Sequence, residues 1–324
     1  MTAGNIGVFD SGVGGLTVVK ELRRLMPAED IVYFGDTARA PYGSKDALTL
    51  LSYGREIIRF LLNKNAKIIV MACGTSSSTS FEALCADFPA VPIVDTIRPA
   101  VAATLALAKE RADFAPVFIA TEATINSGLF ARLYNEGFAK MRGASAATPD
   151  GSVPPREYSA SDEWRDATAR AEATLYTRAC PLFAPMAEVG LEKNHPLLRF
   201  AAENYLADLR GKINALVLGC THYPLLTDAI THALGDITYV NPATATAEAT
   251  RDKLLETFGQ NFAPSPSQNS VMGNNVPAQG FSANGASLAK SAKIEYYTSG
   301  NAKKFSEIAE NIIGEPCCVA RGTL

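Results

Sequence analysis

Several features are missing from this chain of 324 residues. It has six cysteines but no Cys-x-x-Cys pair, and only three histidines, so a structural zinc site is not expected. No apolar run reaches the ~20 residues of a membrane helix, and no membrane association is expected. Met1-Thr2-Ala3-Gly4-Asn5 carries no basic region and leads straight into strand-like Ile6-Gly7-Val8-Phe9. A secretory signal peptide is therefore not expected, and the cytosol is the expected compartment. Thiols stay reduced there, so the cysteines read as core residues, nucleophiles or acids rather than a disulfide frame. Thirty basic and 33 acidic residues leave a net charge of −3. That is no global footprint for nucleic acid. Neither a GxGxxG spacing nor a GxxxxGK phosphate loop occurs, which leaves a nucleotide site unsupported.

What is present is an ordinary globular composition, 47% hydrophobic and 19% charged, long enough for about two domains. Short apolar runs alternate with stretches of helical period. Strands are predicted at Asn5–Phe9, Asp30–Phe34, Lys67–Ala72, Pro92–Asp95, Pro116–Ala120, Ala215–Leu218, Ile237–Val240 and Ile294–Thr298. Helices are predicted at Gly15–Met26, Leu48–Asn63, Ser77–Asp87, Ala100–Glu110, Ser127–Ala139, Pro196–Leu209, Leu225–Leu234, Ala245–Phe258 and Asn301–Ile313. Regular alternation implies βαβ units and parallel sheets. Two segments, about 141–164 and 259–290, are rich in Ala, Ser, Pro, Gly or Asn. They read as surface insertions.

One pattern occurs twice. Lys67-Ile68-Ile69-Val70-Met71-Ala72 runs into Cys73-Gly74-Thr75, and Ala215-Leu216-Val217-Leu218-Gly219 runs into Cys220-Thr221. Two similar α/β halves would each present a thiol at the carboxyl end of a strand, where open parallel sheets place ligands. A helix start after each thiol would favour the thiolate and lower its pKa. The same N–H groups would bind a substrate carboxylate. Two matched thiols suit racemisation, which needs a base on one face of a carbon and an acid on the other, with roles that swap.

The other cysteines read as structural: Cys85 in a helix pattern, Cys180 before Pro181, and Cys317 and Cys318 near the end as incidental. Asp10 and Ser11 end a strand before a glycine loop, as ligand contacts or as a helix cap. Tyr42, in a loop at another strand end, could roof a cleft. His222, two residues after Cys220, could share protons with the thiol. His195 reads as a helix start and His232 as a surface residue.

These residues fall in motifs that resemble bacterial glutamate racemases. The segments are IGVFDSGVGGLT (Ile6–Thr17), YFGDTARAPYGS (Tyr33–Ser44), MACGTS (Met71–Ser76), ATEATINSG (Ala120–Gly128), CPLFAPMAEVG (Cys180–Gly190), LGCTHYPLL (Leu218–Leu226) and VNPATATA (Val240–Ala247). The resemblance implies two facing, doubly wound parallel-sheet α/β domains related by a pseudo-twofold. One would comprise 1–99 plus 242–324 and carry Cys73; the other, 100–241, would carry Cys220. It implies cofactor-independent interconversion of L- and D-glutamate for peptidoglycan, in a homodimer that needs neither metal nor nucleic acid. Cys73 and Cys220 would be the catalytic pair, Asp10 assisting the first, and His222 with Glu188 the second. Asp10, Ser11, Pro41, Tyr42, Gly43, Gly74, Thr75, Thr124, Thr221 and His222 would hold the amino acid. Gly74 departs from the family, which usually has asparagine there; Ser76 or a water would then stand in for the amide.

Three alternatives remain open on the residues. Aspartate racemases share the two-cysteine plan but generally lack the His-Tyr-Pro-Leu-Leu run. A cysteine-nucleophile hydrolase leaves the second thiol unexplained. A non-catalytic cleft protein needs no matched cysteines.

Overall fold

The computed structural model describes residues 4–111, 113–142, 156–157, 175–191, 195–259 and 292–324. The chain opens with β1 (Asn5–Asp10), α1 (Leu16–Leu25), β2 (Ile31–Gly35), α2 (Ala47–Asn63), β3 (Ala66–Met71), α3 (Gly74–Asp87), β4 (Ile93–Val94) and α4 (Ile97–Glu110). It continues with β5 (Pro116–Ala120), α5 (Glu122–Asn126), α6 (Leu129–Met141), β6 (Arg156–Glu157), β7 (Tyr176–Ala179), α7 (Phe183–Glu188), α8 (Pro196–Leu206), β8 (Ala215–Leu218), α9 (Thr227–Leu234), β9 (Thr238–Val240) and α10 (Pro242–Phe258). It closes with β10 (Ile294–Thr298), α11 (Ala302–Ile313) and β11 (Val319–Arg321).

The strands form two sheets, ordered β11-β10-β2-β1-β3-β4 and β6-β7-β5-β8-β9. All pairings are parallel. The order β2-β1-β3-β4 in the first sheet is repeated as β7-β5-β8-β9 in the second. The strands before the two thiols, β3 and β8, are thus equivalents, each beside the central strand of its sheet.

Helices cover both faces of each sheet, so the strands are apolar throughout. Ile68 and Val70 of β3 join α1, α10 and α11 in one cluster, while Ile69 and Met71 join α2 in another. In β5, Val117 and Ile119 pack with α8 and α9, and Phe118 and Ala120 with α4 and α6. This is the period of two of a pleated strand. Helix α4 carries the chain from the first sheet to the second, and α10 carries it back. They touch where Thr246 donates a hydrogen bond to Thr96 at 3.1 Å.

The structure differs from the sequence reading in several elements. The helix expected at Ser127–Ala139 starts at Leu129, because Gly128 takes φ +63° just before it, and a short helix, α5, precedes the expected range. Only glycine adopts that left-handed turn without steric cost. Five elements carry too few apolar repeats to be read: α5, β6, β7, α7 and β11. Of the first biased segment, Met141 ends α6 and Arg156–Glu157 pairs with β7; residues 143–155 and 158–164 lie outside the described residues, as do 260–290 of the second. Cys317 is not incidental: it is buried in the core under α11. No described helix is long and apolar enough to cross a membrane.

Candidate active site

Both thiols stand where a strand ends. Cys73 caps α3, its backbone extended while Gly74 starts the helix. This differs from the expected start at Ser77, since the six hydroxyl residues Thr75–Ser80 obscure the period. Cys220 has no α-helix directly after it. Pro224 tightens Tyr223–Leu226 into a 3-10 turn, and α9 starts only at Thr227. The helix-dipole reading therefore applies to Cys73 and not to Cys220. Gly219, before Cys220, is required by close packing: a Cβ there would lie 2.4 Å from the Phe118 ring and 2.7 Å from the Ile119 carbonyl oxygen.

Cys73 and Cys220 line one cavity of ≈ 650 Å³ between the carboxyl ends of the two sheets. Ser11, Pro41, Tyr42, Gly43, Gly74, Thr75, Thr124, Glu188, Thr221 and His222 line it as well. Asp10 does not. It is fully buried behind the lining, where its Oδ1 accepts from Gly12 N–H at 2.9 Å and its Oδ2 from the Thr221 hydroxyl at 3.1 Å.

The surroundings of the two thiols are unlike. Cys73 donates to Ser11 Oγ at 3.7 Å. Burial, with Asp10 nearby, pushes its pKa up from 9.0 to about 11, and the Ser76 N–H and Ser11 offset only part of this. The lowered pKa expected from the helix start is therefore overturned: removal from water outweighs the dipole. The native state binds this proton more tightly than the unfolded chain. Its contribution to stability is complete below pH 9.0 and is lost as the pH rises through about 11. Urea midpoints over that alkaline range should fall more steeply for the wild type than for Cys73→Ala. Equal slopes would show that Cys73 is not the group.

Cys220 faces a relay instead. His222 Nδ1 lies 3.5 Å from its sulfur, and His222 Nε2 lies 2.5 Å from Glu188 Oε1. Burial works against a charged His222, but its interactions with Cys220 and Glu188 outweigh that and hold the imidazole pKa well above its usual value. Burial likewise pushes Glu188 up, and the bonds from His222 and Val13 N–H bring it below the usual range. Asp10 is raised, chiefly by burial.

Further polar contacts hold the residues around Cys73, against which Tyr42 packs. Tyr42 donates its hydroxyl to Asp36 Oδ2, which also accepts from Arg39 Nε at 2.6 Å. Asp36 Oδ1 accepts from Ser299 at 2.6 Å. Buried Asp36 thus pins the loop that carries Pro41, Tyr42 and Gly43. Thr75 and Thr121 share a hydrogen bond at 3.0 Å, and Thr121 and Thr124 another at 2.9 Å. Ser76 does not replace the family's amide: it is buried outside the cavity lining, with no hydrogen-bond partner for its Oγ among the described residues.

The sequence reading missed Thr121, Asn301 and Lys304, all of which line the cavity. Thr121 follows β5 directly, and Asn301 and Lys304 follow β10. The strand-end rule that found Ser11 would have found all three had it been applied to every strand. His195 caps α8, its Nδ1 accepting from Leu197 N–H at 3.2 Å, and His232 is exposed. Among the described residues no group of three or more His, Cys, Asp or Glu is arranged to hold a metal ion.

Comparison with known proteins agrees with this geometry. No protein-family model matches the chain. The glutamate racemase of Desulforudis audaxviator is 34% identical over 316 residues, 97% of this chain and 95% of that one. The crystal structure of glutamate racemase from Francisella tularensis in complex with D-glutamate superposes with a TM-score of 0.72 at 26% identity, covering 100% of this chain and 98% of that one. That of the Thermus thermophilus enzyme in complex with beta-chloro-D-alanine has a TM-score of 0.68 at 32% identity, covering 99% and 97%. With matched thiols at equivalent strand ends and a relative similar over nearly its whole length, this chain belongs to the glutamate racemases, a family of two-sheet α/β amino-acid racemases.

Proposed function

We propose that the protein interconverts L- and D-glutamate by direct proton transfer between two thiols. The observation that carries this reading is that Cys73 and Cys220 leave equivalent strands of two like-ordered sheets and line one cavity. The relatives are named for glutamate, and the Francisella protein binds D-glutamate.

In the proposed reaction one sulfur, as thiolate, takes the α-proton. The C–H pair stays on the substrate as a carbanion delocalised into its carboxylate. The other thiol delivers its proton to the opposite face and becomes the thiolate. His222, held charged by Cys220 and Glu188, stabilises the thiolate form of Cys220. On the other side, buried Asp10 and the Ser11 hydroxyl stand by Cys73. The start of α3 presents backbone N–H groups to the α-carboxylate. Thr75, Thr121 and Thr124 supply hydroxyls, and Tyr42 and Gly43 close the wall.

We further place the crossings between domains near residues 99 and 242, in α4 and at the start of α10. Sheet one and Cys73 then belong to 1–99 plus 242–324, and sheet two and Cys220 to 100–241. The product is assigned to peptidoglycan synthesis in the cytosol and the working form to a homodimer, as in the family.

The test is purified protein with L-glutamate in D₂O, chirality and α-deuterium followed together, with L-aspartate in parallel. Inversion of glutamate with uptake of solvent deuterium is expected. Inversion of aspartate instead would move the substrate assignment, and no exchange with either would end the racemase reading.

A further inference from the structure

The Gly12-Val13-Gly14-Gly15 loop between β1 and α1 matches no nucleotide-binding motif, yet its shape is tightly specified. Gly12 N–H donates to Asp10 Oδ1 at 2.9 Å, and Gly12 O accepts from the Tyr33 hydroxyl at 2.7 Å. Gly14 O accepts from the Thr17 hydroxyl at 2.8 Å. The loop is a rigid ledge, and one N–H, that of Val13, points away from its own half. It donates to Glu188 Oε1 at 2.9 Å, on α7 of the second half.

The glycines let that half approach. A Cβ on Gly12 would sit 1.8 Å from Glu188 Oε1. One on Gly14 would sit 2.5 Å from His222 Nδ1 and 2.6 Å from Thr221 Oγ1. Glu188 Oε1 therefore takes two donors from different halves: Val13 N–H and His222 Nε2. A reverse contact exists too, since Thr221 beside Cys220 donates to Asp10 Oδ2 at 3.1 Å.

We infer that the glycine loop is a positioning element for the proton-transfer group of the opposite half: Val13 N–H aims Glu188, Glu188 aims His222, and His222 faces Cys220. Asp10 is aimed in the same crossed manner by Thr221. The acid–base machinery of each thiol is completed only when the two halves meet. This rests on the two-thiol reading above.

The test first uses Cys73→Ala to identify the enantiomer whose α-proton goes to Cys220, namely the one that still exchanges with D₂O. Gly12→Ala and Gly14→Ala should then each lower kcat about 100-fold, as small misplacements of catalytic groups do, with KM little changed. The primary isotope effect from α-deuterated glutamate should grow for the Cys220 enantiomer and not for the other. Gly137→Ala, which crowds Leu105 at 2.3 Å on α6 away from the cavity, should leave both isotope effects as they are. In a Glu188→Ala background the methyl of Gly12→Ala meets no carboxylate, so it should cost nothing further. That double variant also removes the clash should the single one not fold. Equal changes for both enantiomers, or an undiminished penalty in the Glu188→Ala background, would overturn the inference. A wild type inactive on glutamate would overturn the underlying function instead.

Discussion

Cys220→Ala should lose glutamate racemisation in both directions by about 10²- to 10⁴-fold, the range of a positioned acid or base. The carbanion is planar, and one sulfur can reach only one of its faces. With Cys220 gone, the enantiomer whose α-hydrogen faces Cys73 can still be deprotonated and reprotonated on that face. It should exchange with D₂O without inverting. Cys73→Ala should show the mirror pattern with the other enantiomer. The two half-reactions should also differ in rate. Cys73 must ionise against a pKa pushed up to about 11, whereas Cys220 has His222 at 3.5 Å to balance its charge. Exchange by Cys220→Ala should therefore rise steeply toward alkaline pH. A Cys220→Ala protein that inverts glutamate within tenfold of the wild-type rate, a far smaller loss than removal of an acid or base causes, would sink the two-thiol mechanism.

Gly74→Asn, which restores the residue usual in the family, should impair this protein rather than improve it. A Cβ at position 74 would meet the Gly219 carbonyl oxygen at 2.5 Å. That is backbone against side chain, with no flexible end to yield. Gly219 is held in place, because its N–H donates to the Ile119 carbonyl oxygen at 2.7 Å. The two strand-end loops must separate, and each carries a thiol on its next or preceding residue. A displacement of this kind should cost about 10²-fold in kcat, and overpacking about 1–3 kcal/mol of stability. Rates of both enantiomers and a thermal melt would measure the two effects. A gain in kcat/KM would mean that the chain lacks a contact here rather than needing the space. Gly74→Ala, which carries the same Cβ without the amide, separates sterics from chemistry: it should be nearly as slow as Gly74→Asn.

Much of the fold was legible because it depends on short-range pattern. Continuous apolar runs such as Ile68–Met71 and Leu216–Leu218 mark strands buried on both faces, and the helical period of Leu16, Val19 and Leu22 marks α1. The repeated strand-then-cysteine pattern located both thiols, since parallel strands gather their carboxyl ends. What stayed illegible was short or irregular. The six residues of α7 hold too few turns for a period, so Glu188 had a family role but no element to stand on. Pro224 replaced an expected helix start by a 3-10 turn.

The sequence by itself determined the two-sheet α/β class, the thiols at equivalent strand ends, and the glycines that make the β1–α1 loop. Only the tertiary structure decided how those thiols are poised. Val13 and Glu188 are 175 residues apart, and Asp10 and Thr221 are 211 apart. No local pattern encodes such pairs. The pKa of Cys73 depends on how completely distant segments exclude water from it, and a helix dipole read from local sequence is weaker than that desolvation.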